Sequence, residues 1–311
     1  MNPPVTPFEC GICGAIAGEF LFSARDFNFR TTEESFSVVR CSACGTAQTV
    51  PRPPESSLGR FYPPSYYPIG GYDPAYYRRT IQPSQRDKLD IVRRFRQSGT
   101  LLDVGCGAGF FVREASKNGF SAQGVEFSRE AVEFGMREGD IRLTEGDLLH
   151  THFPDGSFEI VTLWQVMEHL PRPVETLKRI HALLKPGGIL VIAVPNFDSV
   201  QARVFRSRWY HLEVPRHLYH FTPATLRRLL EAEGFDVLAE DHQSPEHNWA
   251  GILGSLVPLV ASNGSYAGRL ARLVAGRPLA RGAAAVETAF HRGGTFTLIS
   301  ASREQPDHEP C

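Results

Sequence analysis

Short apolar runs alternate with amphipathic segments from about residue 85 to the end of the chain. Apolar runs of four to eight residues predict buried strands, and apolar residues spaced three or four apart predict helices. The uninterrupted run Ile189–Val194 is typical of a strand that helices cover on both faces of a parallel sheet. We therefore expect an α/β fold with an open, doubly wound sheet of seven strands, at 101–104, 121–127, 141–143, 157–163, 189–194, 235–239 and 295–301.

Amphipathic segments between these strands predict the helices that cover the sheet. Segment 84–96 spaces Leu89, Val92 and Phe95 at helical intervals, with Ser84 as its N-cap. Thr222-Pro223 supplies a cap and a first-turn proline to a helix that ends before Gly234. The remaining helices are expected at about 110–118, 128–138 and 174–184. Regular alternation of strand and helix favours parallel pairing in the sheet.

A glycine-rich turn follows the first strand of this series. Gly105, Gly107 and Gly109 are spaced G-x-G-x-G, which differs from the G-x-G-x-x-G of dinucleotide sites. Glycines let the chain turn sharply and let a ligand approach the backbone N–H groups. Asp103 stands two residues before the first glycine. Its carboxylate would repel a pyrophosphate, and it favours a ligand that carries an ammonium and a sulfonium group.

Polar residues also follow the next three strands. Glu126 ends the second strand, Asp147 follows the third and Gln165 follows the fourth. In open α/β sheets, ligands bind beyond the carboxyl ends of the strands. A carboxylate about 20 residues beyond the glycine turn is placed to accept hydrogen bonds from ribose hydroxyls. We expect these residues and the glycine turn to meet at one edge of the sheet.

Two CxxCG sequences lie near the N-terminus, and each can point two thiolates at one ion. Four thiolates suit tetrahedral Zn²⁺ and leave no open coordination position for chemistry, so the predicted ion is structural. A pair of reversible disulfides is the alternative. The predicted zinc ligands are Cys10, Cys13, Cys41 and Cys44.

The predicted organisation of the chain has four parts. These are a zinc ribbon at 1–52, a connector rich in proline and tyrosine at 53–83, a catalytic domain at 84–303 with an insert at about 245–294, and a disordered tail at 304–311. Prolines exclude regular structure from the connector, yet its aromatic residues are too many for a solvated linker. Its tyrosines either attach the ribbon to the next domain or line a pocket.

Several motifs occur in order along the predicted sheet: LDVGCGAGFF, GVEFS, EGDLL, VMEHL and LLKPGGILVIAVPN. Together they resemble the class I S-adenosylmethionine (SAM) dependent methyltransferases of the type 11 and type 23, ubiquinone-biosynthesis-like groups, over residues 86–243 and 295–303. The chain looks like a branch of these groups with an N-terminal zinc ribbon. The resemblance implies SAM as the cofactor and an antiparallel last strand in the sheet.

The resemblance also assigns roles to residues at the predicted edge. It places Glu126 at the ribose, and Asp147 with its neighbour Leu148 at the adenine. The cofactor-binding residues that we predict are Asp103, Gly105, Gly107, Gly109, Glu126, Phe127, Asp147, Leu148 and Gln165.

Two histidines are candidates for the general base that an oxygen acceptor requires. His169 follows the fourth strand and so faces the cofactor edge, where it could also serve only to orient the loop before Pro171. His217 lies in WYHLEVPRHLYHFTP, between the fifth strand and the next helix, a segment that often covers the acceptor in this fold. We predict both as catalytic, and the sequence leaves open which of them takes the proton.

Composition restricts the partners and the location of the protein. The chain has 33 basic and 34 acidic residues, and no Asn/Asp-Pro-Pro-Tyr/Phe motif follows the fourth strand, so a nucleic-acid acceptor is disfavoured. No apolar run reaches the roughly 20 residues of a membrane span, and no secretory signal begins the sequence. We expect a cytoplasmic protein. Apolar residues with interspersed arginines at 250–285 leave open peripheral contact with the inner face of the membrane.

These observations predict transfer of a methyl group from SAM to an oxygen of a small-molecule, sugar or glycan, or lipid-linked acceptor in a biosynthetic pathway. A sugar C-methyltransferase and a ribosomal RNA methyltransferase remain alternatives. In a different class, the chain could be a SAM-binding scaffold that recruits a partner through its ribbon. The oligomeric state stays open.

Overall fold

The computed structural model describes residues 8–63, 66, 77–242, 245–261 and 279–303, with the backbone alone at 79–80, 245–247 and 257–261. Its strands are β1 Gly18–Arg25, β2 Ser35–Cys41, β3 Ala47–Val50, β4 Gly99–Val104, β5 Phe120–Glu126, β6 Arg142–Glu145, β7 Phe158–Trp164, β8 Leu184–Pro195, β9 Tyr219–His220, β10 Phe235–Asp241 and β11 Thr295–Ser302. Its α-helices are α1 Gln82–Arg93, α2 Phe110–Lys117, α3 Arg129–Glu138, α4 Pro173–Leu183, α5 Val200–Phe205, α6 Pro223–Ala232 and α7 Pro245–Ala261, and residues 279–289 are also helical.

The larger sheet has seven strands in the order β10-β11-β8-β7-β4-β5-β6. Strands β4 to β8 pair in parallel, whereas β11 is antiparallel to both of its neighbours, β8 and β10. The seven-stranded sheet with an antiparallel last strand is therefore confirmed. Leu101 on β4 packs with α1 and α2 on one face, and Leu102 packs with α4 and α6 on the other. This alternation covers both faces of the sheet, as the doubly wound prediction requires.

Of the two helix N-caps predicted from the sequence, one is confirmed and one was wrong. Thr222 caps α6 as predicted: its Oγ1 accepts from the N–H of Thr225, and Thr225 Oγ1 accepts from the N–H of Thr222. The assignment of Ser84 as a cap was wrong. A short π-helix, Tyr77–Ile81, leads directly into α1. Ser84 therefore lies inside the first turn of α1 and does not precede it.

The connector also contains more regular structure than its prolines suggested. A 3₁₀-helix spans Glu55–Phe61 and begins after Pro54. Proline is tolerated there because the first N–H groups of a helix have no partner within the helix. The prediction of no regular structure was therefore wrong for this part of the connector.

The N-terminal strands form a second, four-stranded antiparallel sheet in the order β1-β2-β3-β9. Its fourth strand comes from the segment between β8 and α6, where Tyr219 and His220 pair with Gln48 and Ala47. The N-terminal sheet is thus completed by a segment about 170 residues further along the chain. Among the described residues, no helix is both long enough and apolar enough to cross a membrane.

Candidate active site

A cavity of about 320 Å³ opens at the carboxyl ends of β4, β5, β6 and β7. These four strand ends are where a ligand site lies in an open α/β sheet. The connector supplies a further wall, with residues between Glu55 and Tyr66. Of the residues predicted from the sequence, those that line this cavity are Gly105, Gly107, Glu126, Phe127, Asp147, Leu148, Gln165 and His169.

The glycine turn is held in a left-handed backbone conformation, with φ of +68° at Gly105 and +53° at Gly107. A Cβ at Gly105 would lie 2.5 Å from a methyl carbon of Val166, so only glycine fits there. A Cβ at Gly107 would meet no described atom within 4 Å. Gly107 therefore leaves its surroundings open on the side where a ligand can approach.

Glu126 joins the glycine turn to the end of β5. Its Oε2 accepts from the N–H of Gly107 and its Oε1 from the N–H of Ser128, each at 2.9 Å. These bonds fix a buried carboxylate at the cavity wall. The position suits hydrogen bonds from two neighbouring hydroxyls.

Asp147 and Leu148 line the cavity just beyond the end of β6. Asp147 Oδ1 accepts from the N–H of Leu149 at 2.8 Å, and Oδ2 lies 2.6 Å from Nδ1 of His150. Burial opposes ionisation of Asp147, but these hydrogen bonds lower its pKa below the ordinary value. Leu148 is buried beside it. A charged acceptor next to an apolar side chain suits a heteroaromatic ring with an exocyclic amino group.

Two of the predicted cofactor residues are not among the described residues that line the cavity. Gly109 is the N-cap of α2, and a Cβ there would lie 2.6 Å from Ile141. Asp103 points to the face of β4 that α1 covers, where it accepts from Thr162 Oγ1 at 2.7 Å. Burial raises the pKa of Asp103 to about 7, although the Thr162 bond and the charge of Lys88 lower it. Direct contact of Asp103 with a ligand stays a prediction.

The structure brings His169 and His217 together. Their ring centroids lie 4.5 Å apart with the rings nearly perpendicular. His169 lines the cavity between two connector tyrosines, with Nδ1 2.9 Å from the Tyr62 hydroxyl and Nε2 3.4 Å from the Tyr66 hydroxyl. Tyr62 and Tyr66 therefore line a pocket, one of the two roles that the sequence left open.

His217 lies behind His169 and is buried. Its Nδ1 is 2.9 Å from the carbonyl oxygen of His211 and must donate the hydrogen there, so Nε2 keeps a lone pair. Burial, with the neighbouring His169, lowers the pKa of His217 well below 6.5. The ring is neutral at pH 7 and can accept a proton.

Glu168 is a site residue that the sequence analysis missed. It is 1% exposed, and neither of its carboxylate oxygens has a hydrogen-bond partner in the part of the chain that the structure describes. Oε1 lies 3.9 Å from Nε2 of His217. Burial raises the pKa of Glu168 to about 8. Its position beside His169 in VMEHL was the available signal, because a carboxylate in an otherwise apolar segment is rarely buried without a function.

Within the part of the chain that the structure describes, two groups of side chains have the chemistry to hold a metal ion. The thiols of Cys10, Cys13, Cys41 and Cys44 lie within 4.8 Å of one another, with closest S···S distances of 3.6 Å. Thiolates bound tetrahedrally about 2.3 Å from zinc lie about 3.8 Å apart, so the four sulfurs fit such an ion. None of these cysteines is in a disulfide. Ligand atoms of Glu168, His169 and His217 also lie within 4.8 Å of one another.

Comparison with known proteins agrees with this geometry. A family model described as a methyltransferase domain matches residues 76–240, more than half of the chain. A ubiquinone biosynthesis O-methyltransferase of Psychrobacter cryohalolentis is 27% identical over 104 residues, which cover 31% of this chain and 40% of that protein. A 2-methyl-6-phytyl-1,4-hydroquinone methyltransferase of Synechocystis is 29% identical over 154 residues, 45% of this chain and 47% of that protein. The chain thus spans less than half the length of these two relatives.

Solved structures share the fold. A phosphoethanolamine N-methyltransferase 2 of Haemonchus contortus, in complex with S-adenosylhomocysteine, has a TM-score of 0.51 at 19% identity, covering 71% of this chain and 53% of that one. A protein of Galdieria sulphuraria described as a sarcosine dimethylglycine methyltransferase has a TM-score of 0.51 at 15% identity, covering 76% and 92%. At these identities the likeness concerns the fold.

The sheet order, the glycine turn and the cavity at the carboxyl edge define a class I SAM-dependent methyltransferase domain. The match of more than half of the chain to one family model makes the assignment specific. The chain belongs to the methyltransferase domain family that this model describes.

Proposed function

We propose that this protein transfers the methyl group of SAM to an oxygen of a small-molecule, sugar or glycan, or lipid-linked acceptor. SAM supplies an electrophilic methyl group on a sulfonium, and its displacement by an acceptor oxygen leaves S-adenosylhomocysteine. Gly105 and Gly107 would cradle the cofactor, Glu126 would accept from its ribose hydroxyls, and Asp147 with Leu148 would hold its adenine. Two relatives, one named as an O-methyltransferase of ubiquinone biosynthesis and one as a hydroquinone methyltransferase, support a small-molecule acceptor.

The observation that carries the oxygen acceptor is the neutral His169–His217 pair beside the cavity. A hydroxyl becomes a sufficiently strong nucleophile when a base takes its proton as the new C–O bond forms. His217 offers the lone pair of Nε2, and His169 lies between it and the cavity. When Glu168 is ionised, its carboxylate 3.9 Å away stabilises the imidazolium that results. These side chains therefore provide a place for the proton to go.

We also propose that the four cysteines hold one structural Zn²⁺. Their sulfurs match a tetrahedral site, and four thiolates complete the coordination of the ion. In this proposal the ion stabilises the end of the N-terminal sheet where a small apolar cluster packs Phe8, Val39 and Val50 against Cys10 and Cys41. The ion takes no part in methyl transfer.

The scaffold alternative has less support. β9 occupies the edge of β3, so that edge of the N-terminal sheet is used within this chain and is closed to an added partner strand. The neutral charge balance continues to disfavour a nucleic-acid acceptor. The side chains at 257–278, on which the prediction of membrane contact mostly depends, lie outside the described residues.

The test is transfer of label from methyl-labelled SAM into extracts separated into small-molecule, glycan and lipid fractions. We expect label in one fraction, in a methyl ether or ester, and formation of S-adenosylhomocysteine in equal amount. His217→Asn should reduce transfer at least 100-fold while SAM still binds. A protein that binds SAM but labels no fraction would support the scaffold alternative. Label found in a C–CH₃ group would replace the oxygen acceptor with a carbon acceptor.

A further inference from the structure

Arg216 connects four parts of the molecule. Its guanidinium donates to both carboxylate oxygens of Asp26 at 3.0 and 2.8 Å, to the carbonyl of Phe61 at 3.1 Å and to Glu213 at 3.2 Å. The side chains of Arg216 and Asp26 are both fully buried. The carbonyl oxygen of Arg216 lies 3.2 Å from Nδ1 of His169. Arg216 directly precedes His217 in the chain. The loop after β1, which carries Asp26, is therefore linked through Arg216 to the candidate base.

Thr49, on β3, makes a second connection to the same segment. Its Oγ1 donates to the carbonyl of His217 at 2.6 Å and lies 3.1 Å from Nε2 of His220. Because the Thr49 proton goes to the carbonyl, His220 must donate from Nε2. The N–H of Thr49 donates to the carbonyl of Leu218 at 3.0 Å. His217 is thus anchored by its own backbone to the N-terminal sheet.

The opposite side of this segment is anchored to the catalytic domain. The N–H of Leu218 donates to the carbonyl of Glu168 at 2.8 Å. Residues 216–220 therefore lie between β3 on one side and the Glu168–His169 turn on the other. None of the described residues that line the cavity belongs to residues 8–50. The N-terminal sheet therefore reaches the histidine pair through this intervening segment. The loop after β1 also touches the cavity wall, because the ring of Phe29 lies 5.5 Å from that of Tyr66.

We infer that Asp26 and Thr49 are positioning residues for methyl transfer, and that the N-terminal sheet holds the histidine pair in its working geometry. This inference rests on the proposed function, because it assigns the histidines to acceptor deprotonation. Since Glu126 and Asp147 contact residues of the catalytic domain, SAM binding should be independent of the N-terminal sheet. The two halves of the reaction, cofactor binding and proton removal, are supported by different sheets.

The test compares two substitutions of Thr49. Thr49→Val removes the hydroxyl, whereas Thr49→Ser keeps it. Thr297→Val is the matched control, because Thr297 is a buried strand threonine of the seven-stranded sheet. Long-range ¹H–¹⁵N spectra of the histidine rings report which nitrogen of His217 carries the proton, and calorimetry reports the dissociation constant of SAM.

We expect wild type, Thr49→Ser and Thr297→Val to show one His217 tautomer with the proton on Nδ1. Thr49→Val should show averaged tautomers, with SAM affinity within twofold of wild type and methyl transfer reduced at least tenfold. Asp26→Asn should perturb both histidines in the same way, and if it does not fold, Thr49→Val decides.

Unchanged His217 signals in Thr49→Val, or an equal change in Thr297→Val, would overturn the inference. A parallel loss of SAM affinity would also overturn it, since the effect would then be global. If the wild type transfers no methyl group while the spectra still differ as expected, the proposed function fails and the anchoring of His217 stands.

Discussion

Replacing Glu126 by glutamine tests the cofactor site, because it changes one carboxylate oxygen to an NH₂ group and leaves the shape of the side chain the same. The carboxylate accepts one backbone N–H on each oxygen, from Gly107 and from Ser128. An amide has one oxygen, so its NH₂ group would face one of these donors. The variant loses a charge-assisted hydrogen bond within the glycine turn and the charge that ribose hydroxyls would meet.

The expected loss of SAM affinity and of stability can be estimated from these hydrogen bonds. A hydrogen bond to a charged group contributes about 1.5–3 kcal/mol, and 1.4 kcal/mol corresponds to a tenfold change in affinity. We therefore expect Glu126→Gln to bind SAM about 10- to 100-fold more weakly. The unfolding free energy should fall by about 1–3 kcal/mol, because one buried N–H of the turn loses its acceptor.

Calorimetry with SAM and with S-adenosylhomocysteine measures the affinity, and urea unfolding measures the stability. Glu145→Gln is the matched control, since Glu145 lies on β6 directly beside Glu126 in the sheet register but is exposed. The control should bind SAM within twofold of wild type. Equal affinities for Glu126→Gln and wild type would refute the assignment of Glu126 to the ribose.

Three further predictions concern the metal, the base and the pH dependence of stability. Metal analysis should find one zinc per chain, lost in Cys41→Ser; folded native protein without zinc would refute the site. His217→Asn should leave SAM affinity within twofold while reducing label transfer at least 100-fold, and retained transfer would exclude His217 as the base. Burial lowers the pKa of His217 well below 6.5 and that of His169 and His220 to about 3, so the unfolded chain takes up about three more protons at pH 5–6. Burial raises the pKa of Glu168 to about 8 and that of Asp103 to about 7, so the folded chain holds about one more proton at each of these carboxyls. Unfolding free energy should therefore rise by about 1 kcal/mol from pH 5 to pH 6, and by about 2.5 kcal/mol in Glu168→Gln. Equal slopes in urea titrations would show that Glu168 is not protonated in the folded chain.

The sequence by itself determined the seven-stranded sheet and most of the cofactor edge. Apolar runs predicted the strands because burial on both faces excludes polar residues. The turn after β4 could be predicted from its glycines, because the chain must change direction within the five residues between β4 and α2. Glu126 and Asp147 could be predicted for the same reason: parallel strands deliver their carboxyl ends to one edge. Asp103 was harder to place, since the residue adjoining Val104 on a strand faces the opposite side of the sheet.

Only the tertiary structure decided the acceptor side of the site. β9 is two residues long and has no periodic pattern, so its pairing with β3 across about 170 residues could not be inferred from sequence. The same holds for Asp26 with Arg216 and for Glu168 with His217. Each pair joins segments whose proximity depends on how the two sheets pack together. Local sequence determines strands, turns and the edge where they end, whereas contacts between distant segments are set by the packing of the whole chain.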